Sequence, residues 1–151
     1  MLNRLQDVFK CLKEYKVKYL VIGGIAAVLY GVPRATFDLD ILIQATPKNV
    51  RKLLDALLQA GLFTASMTTV DEVLASEVTV FKDRVRIDVQ TSTPGLEFNK
   101  AWKNRQTMQY RGFDFYVVSK GDLIASKIAS GRAKDLEDVR ILQLSFVTRC
   151  L

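Results

Sequence analysis

The chain contains no histidine, and among its 151 residues only two cysteines, three prolines and one tryptophan. The missing histidine removes imidazole-based triads and every imidazole-ligated metal, so any metal here is a hard cation on oxygen ligands. The cysteines are Cys11, in an expected helix, and Cys150, next to last. They provide neither a disulfide framework nor a zinc spacing, and a reducing cytoplasm is the simplest compartment for them. No apolar run approaches the roughly 20 residues of a membrane span. The opening residues, Met1-Leu2-Asn3-Arg4-Leu5-Gln6-Asp7, are amphipathic and charged, unlike a signal peptide. There is no repeat, linker or low-complexity stretch, so one domain over residues 1–151 is expected.

What is present is ordinary in amount and informative in placement. An apolar content of 49% supports a core, and 25% charged residues is usual for a soluble protein. The formal net charge of +6 permits an anionic partner such as nucleotide or RNA, and is equally compatible with a merely basic surface. Leu2, Leu5, Val8, Phe9 and Leu12 have helical spacing over residues 2–15. A short buried strand is expected over 18–22, a helix over 25–30 after Gly23-Gly24, and a strand over 37–43. Thr46 and Pro47 have the chemistry of an N-cap and first helical residue, and Gly61 stops that helix. Residues 62–76 read as a short strand and a helical turn. Residues 78–81 and 84–89 read as a hairpin, residues near Trp102 as a helix, and residues 108–110 and 113–118 as a second hairpin. Two helices, near 119–130 and 133–147, close the chain. The class is α+β: a mixed sheet with helices packed on it.

The chemistry gathers around Gly23-Gly24 and Asp38-Leu39-Asp40. Alternate residues of a strand share a face, so Asp38 and Asp40 stand side by side with Phe37, Leu39, Ile41 and Ile43 turned the other way. Two carboxylates so close repel unless a cation lies between them. A glycine turn beside them lets a phosphate approach bare backbone N–H groups. Asp88 lies on the polar face of its own strand with Arg86 and Gln90, and neighbouring strands are about 4.8 Å apart, so three acids can converge. Such a set suits Mg²⁺ or Mn²⁺ together with substrate phosphates. It would serve transfer from a nucleoside triphosphate such as ATP, with two ions assisting the attacking hydroxyl and the leaving pyrophosphate.

The run from Gly23 to Asp40, with Gly31, Pro33, Arg34 and Thr36 ahead of the acids, resembles the signature of the nucleotidyltransferase fold of DNA polymerase beta and the minimal nucleotidyltransferases. It is similar above all to the AbiEii-like branch, which includes toxin nucleotidyltransferases. Val117-Val118-Ser119, Asp122-Leu123-Ile124, Lys127 and the stretch Gly131 to Val139 look like that branch's closing motifs. The resemblance implies that Asp38, Asp40 and Asp88 bind the metals and that Gly23 and Gly24 hold the triphosphate. Many members have Gly-Ser where this chain has Gly23-Gly24, so a hydroxyl on the phosphate is absent here. The implied acceptor is a hydroxyl of RNA, protein or a small molecule. The alternative is a silent nucleotide- or partner-binding module of the same fold, for instance within a toxin–antitoxin pair.

Further residues join the candidate set. Arg34 is either a phosphate-binding fork or a surface arginine after Pro33. Thr36 is expected on the face of Asp38. Ser119 and Asp122 make a capping-box-like start to a helix in which Leu123, Ile124 and Ile128 form an apolar stripe. Lys127 falls inside that stripe, either reaching an anion past the core edge or snorkelling to solvent. Asp135 lies on the buried side of its helix, as an orienting partner of Lys127 or Arg132 or as a first-turn acid favoured by the helix dipole. Asp138 reads as a solvated partner for Lys134. Trp102, Tyr110, Phe113, Phe115 and Tyr116 read as packing residues.

Overall fold

A computed structural model describes residues 2–150 of the chain, with side chains through Leu144. Its elements are α1 (Gln6–Glu14), β1 (Tyr19–Ile22), α2 (Gly23–Leu29), β2 (Asp38–Ile43), α3 (Pro47–Gln59), α4 (Val70–Ala75), β3 (Val78–Lys82) and β4 (Arg86–Gln90). They continue with α5 (Phe98–Lys103), β5 (Gln106–Tyr110), β6 (Phe113–Val117), α6 (Lys120–Ser130) and α7 (Ala133–Cys150). The strands make one six-stranded sheet in the order β3-β4-β2-β1-β6-β5. Its pairings are mixed: β1 lies antiparallel to β2 and parallel to β6, while β2 lies parallel to β4. The α+β reading therefore holds.

Burial explains the arrangement. All four residues of β1 are buried, as a strand covered on both faces requires. In β2 and β4 Leu39, Ile41, Ile43, Ile87 and Val89 are enclosed at alternate positions, and Leu42 is buried too at the end of β2, leaving Asp38, Asp40, Arg86 and Asp88 on a partly open face; Phe37, expected with the enclosed set, precedes β2 and is exposed. Helix α1 packs on β6 and α3, with Phe9 stacked 4.6 Å from Phe115. Trp102 meets Tyr116 edge-on at 5.1 Å, so these aromatics are packing residues as their sequence pattern indicated. Cys11 belongs to the same core.

Several local expectations are corrected. Helix α2 spans Gly23–Leu29 where residues 25–30 were expected, and Gly23, with φ +68°, makes the turn out of β1 as the sequence suggested. Residues 63–67 form a 3₁₀ turn before α4, with no strand among residues 62–76. Thr46 caps α3 by accepting from the Asn49 N–H, and Ser119 caps α6 by accepting from the Asp122 N–H, both as read from the sequence. In α6, however, Ile128 is exposed and the inward positions are Leu123 and Lys127. The helix is rotated about its axis relative to the expected stripe, because Lys127 has two acids to meet inside.

Asn49 fastens the far end of the β1–β2 pair. It is buried, its Oδ1 accepts from the Lys18 N–H at 2.9 Å, and its Nδ2 donates to the carbonyls of Lys18 and Gln44, each at 2.9 Å. Replacing it with alanine leaves three backbone groups without these partners. Asn49→Ala is expected to lower unfolding free energy by about 1–3 kcal/mol in urea titrations, with the sheet's circular dichroism preserved at low denaturant.

Candidate functional site

The acids meet because of strand register. Asp40 lies opposite Ile22 of β1 on one side and opposite Asp88 of β4 on the other, while Asp38 lies opposite Arg86. Asp38, Asp40 and Asp88 thus occupy one face of two neighbouring strands, as their spacing predicted. This face forms one side of a cleft of about 760 Å³, whose lining also includes Gly23, Arg34, Lys127 and Asp135. Gly24, Thr36 and Arg132 lie on the same cleft.

Gly23 follows directly from β1 with φ +68°, a left-handed conformation that disfavours any residue with a Cβ. A Cβ built there would overlap Oδ2 of Asp40. Glycine is therefore required twice over, by the turn and by the close approach of the carboxylate. Beside it, a Cβ on Gly24 would come within 3.0 Å of the Thr36 hydroxyl. Thr36 precedes β2 rather than lying in it, but its hydroxyl stands against the glycine turn.

Asp40 is held above the usual carboxylate range, at about 6, first by burial and then by the charges of Asp88 and Asp38. The nearby guanidinium of Arg86 offsets this only in part. Sequence reasoning placed Arg86 beside Asp88 and assigned it no role. Its Nε donates to Oδ1 of Asp88 at 2.9 Å, its Nη2 donates to Oδ2 at 3.3 Å, and its Nε lies 3.8 Å from Oδ2 of Asp38. Among the described residues, no three metal-ligating side chains are gathered tightly enough to hold an ion as they stand. The donor set nonetheless fits a hard divalent cation: every donor is a carboxylate oxygen, and one positive group already sits among them.

The cleft's other charged group is built on α6 and α7. Lys127 is buried at 4% exposure, and its ammonium lies 3.1 Å from Asp135 and 2.9 Å from Asp138. Arg34 donates to both carboxylate oxygens of Asp138, at 3.1 and 2.7 Å. Asp138 is therefore not a solvated partner of Lys134; it is 2% exposed and joins two cations. The sequence signal was available, since Asp138 lies three and four residues from Asp135 and Leu142 on one helical face. Asp135 accepts from Lys127, Ser130 and Arg132. Burial pushes its carboxyl up, but those hydrogen bonds outweigh burial and hold it below the ordinary range. Arg132 itself is largely exposed. Lys127 thus neither snorkels nor stands free; it reaches the cleft already bound by two acids.

Two outcomes follow from these charges. Because folding raises the Asp40 pKa, the folded protein binds more protons than the unfolded chain between about pH 4 and 6, and stability from this group falls as pH rises through that window. In EDTA, Asp40→Asn is expected to stabilise the protein on the order of 2 kcal/mol at pH 7.5, with the gain shrinking towards pH 4 in denaturation curves taken across pH. Asp138→Asn does the opposite, because it leaves Arg34 and Lys127 short of a counter-charge. It is expected to cost about 3–5 kcal/mol at pH 7.5 in the same measurement.

Comparison with known proteins bears on the whole chain. A family described as "Nucleotidyltransferase of unknown function (DUF6036)" matches residues 2–148. A search of curated proteins finds no match. Among solved structures, the chain is similar to the crystal structure of a "putative nucleotidyltransferase" from Thermotoga maritima. The TM-score is 0.59 at 18% identity, covering 92% of this chain and 89% of that one. That likeness concerns the fold.

Proposed function

The chain belongs to the nucleotidyltransferase family whose pattern spans residues 2–148, and from that premise we propose that it moves a nucleoside monophosphate from a nucleoside triphosphate to a hydroxyl acceptor with the help of Mg²⁺ or Mn²⁺. The observation that carries this reading is the register that aligns Asp40 with Asp88 while seating Gly23 against the Asp40 carboxylate. Asp38, Asp40 and Asp88 would hold the metal. A divalent ion bound there supplies charge neutralisation at the triphosphate and at the entering hydroxyl.

The chain's own groups account for the rest. The first turn of α2, at Gly23 and Gly24, offers backbone N–H groups without side chains to block a phosphate. The Thr36 hydroxyl stands beside that turn, where a Gly-Ser pair would have presented its own. Arg34 and Lys127 give the facing side of the cleft its positive groups, with Asp138 and Asp135 fixing where they stand. Arg132 adds an exposed charge at the rim. The acceptor approaches from the β3 side, where Val78 and Val80 are about half exposed and Val80 lies opposite Asp88. Its oxygen bonds to the α-phosphorus, its proton passes to the Asp88 carboxylate, and the bond to the bridging oxygen breaks to release pyrophosphate. Positioning and charge stabilisation carry most of such a reaction. The acceptor belongs to RNA, a protein or a small molecule.

The engagement of Asp88 by Arg86 favours a second reading, a silent nucleotide-binding module. One experiment separates the two. The protein is incubated with each α-labelled NTP, Mg²⁺ and either total tRNA or cell lysate, beside Asp40→Asn. The proposal expects label transfer that falls by about a hundredfold or more in the variant. Nucleotide binding without transfer from any NTP would establish the silent module instead.

A further inference from the structure

Arg86 holds Asp88 in a way that leaves little for anything else. Its Nε and Nη2 take one oxygen each, at 2.9 and 3.3 Å. The same guanidinium reaches Asp38, which lies directly opposite it in the β2–β4 ladder. A small divalent ion binds carboxylate oxygen at about 2.0–2.1 Å. Placed on either oxygen of Asp88, it would lie within a few ångströms of a guanidinium nitrogen carrying the same sign of charge. Arginine stays protonated at all working pH values, so the conflict is not relieved by losing a proton. It is relieved by movement. The Arg86 side chain is 41% exposed, on a strand face open to the cleft, and has a long stem on which to swing.

Resting on the metal-dependent reading above, we infer that Arg86 is a resident counter-cation of the three-acid site: it neutralises Asp38 and Asp88 in the free protein and must release Asp88 before a divalent ion can be held there. The guanidinium and the ion compete for the same carboxylate. Without the arginine, three acids on one face would face one another with no positive group among them, which explains why the strand carries a cation two residues from its acid. With it, the free site tolerates the absence of metal and binds metal more weakly than its three carboxylates alone would.

Mn²⁺ is the probe, titrated without nucleotide and followed by electron paramagnetic resonance, against the whole chain and against Arg86→Gln, Arg86→Lys and Asp40→Asn. Removing one competing charge from a partly exposed site is expected to tighten Mn²⁺ binding by about fivefold in Arg86→Gln. Arg86→Lys keeps the positive charge but loses the two-pronged hold on Asp88, so its Mn²⁺ affinity is expected to fall between those of the parent and Arg86→Gln. Thermal unfolding in EDTA and in excess Mn²⁺ provides a second reading. Arg86→Gln should lose stability in EDTA and regain more of it from Mn²⁺ than the parent protein does. Equal or weaker Mn²⁺ binding by Arg86→Gln, with Asp40→Asn still abolishing it in the parent, overturns the role of Arg86 and leaves the metal site standing. If no variant binds Mn²⁺ in an Asp40-dependent way, even with a non-hydrolysable NTP added, the metal-dependent reading fails and the inference with it.

Discussion

Asp40 is paired on both sides, with Ile22 across an antiparallel ladder and with Asp88 across a parallel one. Nearly everything at the cleft depends on that double registration. A slip of one residue on either side would turn Asp40 or Asp88 into the core and bring an isoleucine, leucine or valine to the cleft. The apolar set of β2 and β4 opposes such a slip, since Leu39, Ile41, Ile87 and Val89 are fully enclosed only in the observed register. At the other end of β1, Asn49 ties Lys18 and Gln44 together and fixes the same pair of strands. The placement of the acids is thus a by-product of core packing, enforced by residues that never approach the cleft.

Charge is distributed around the cleft in two unequal ways. On the strands, acids outnumber their one guanidinium, and Asp40 responds by holding its proton more tightly than an ordinary carboxylate. Across the cleft, Arg34 ahead of β2, Lys127 of α6 and Arg132 ahead of α7 meet Asp135 and Asp138 of α7 through short contacts, and Asp135 gives up its proton more readily than usual. One group is electrostatically unfinished and the other is closed. The metal–triphosphate complex proposed for this cleft has a positive part and a negative part, which would meet the acids and the cations respectively.

Much of this was legible in the chain. Alternation placed Asp38, Asp40 and Asp88 on faces and suggested that those faces adjoin, because period-two patterning in a half-buried strand is a strong constraint. Caps at Thr46 and Ser119 were readable from local chemistry alone. What could not be read was helix rotation. The stripe expected along α6 contained both Lys127 and Ile128; Lys127 does face inward, but Ile128 faces outward, since two buried carboxylates on α7 outweigh one isoleucine's burial. The burial of Asp138 could have been read from its spacing to Asp135 and Leu142, but its partners lie on α6 and ahead of β2, at sequence distances that local rules do not reach. Arg86 was visible beside Asp88, but its hold on Asp38 depends on a neighbouring strand that only the fold supplies.

The link between Arg34 and Asp138 joins positions 104 residues apart. Synthesis proceeds from the N-terminus, so a ribosome releases the glycine turn, the acidic strands and Arg34 long before α7 exists. Through that interval the sheet can form, but the cationic side of the cleft has no counter-charge around which to close. The cleft is therefore finished only once α7 has been made. A fragment cut short by stalling or proteolysis before α7 would carry the acids without a complete pocket.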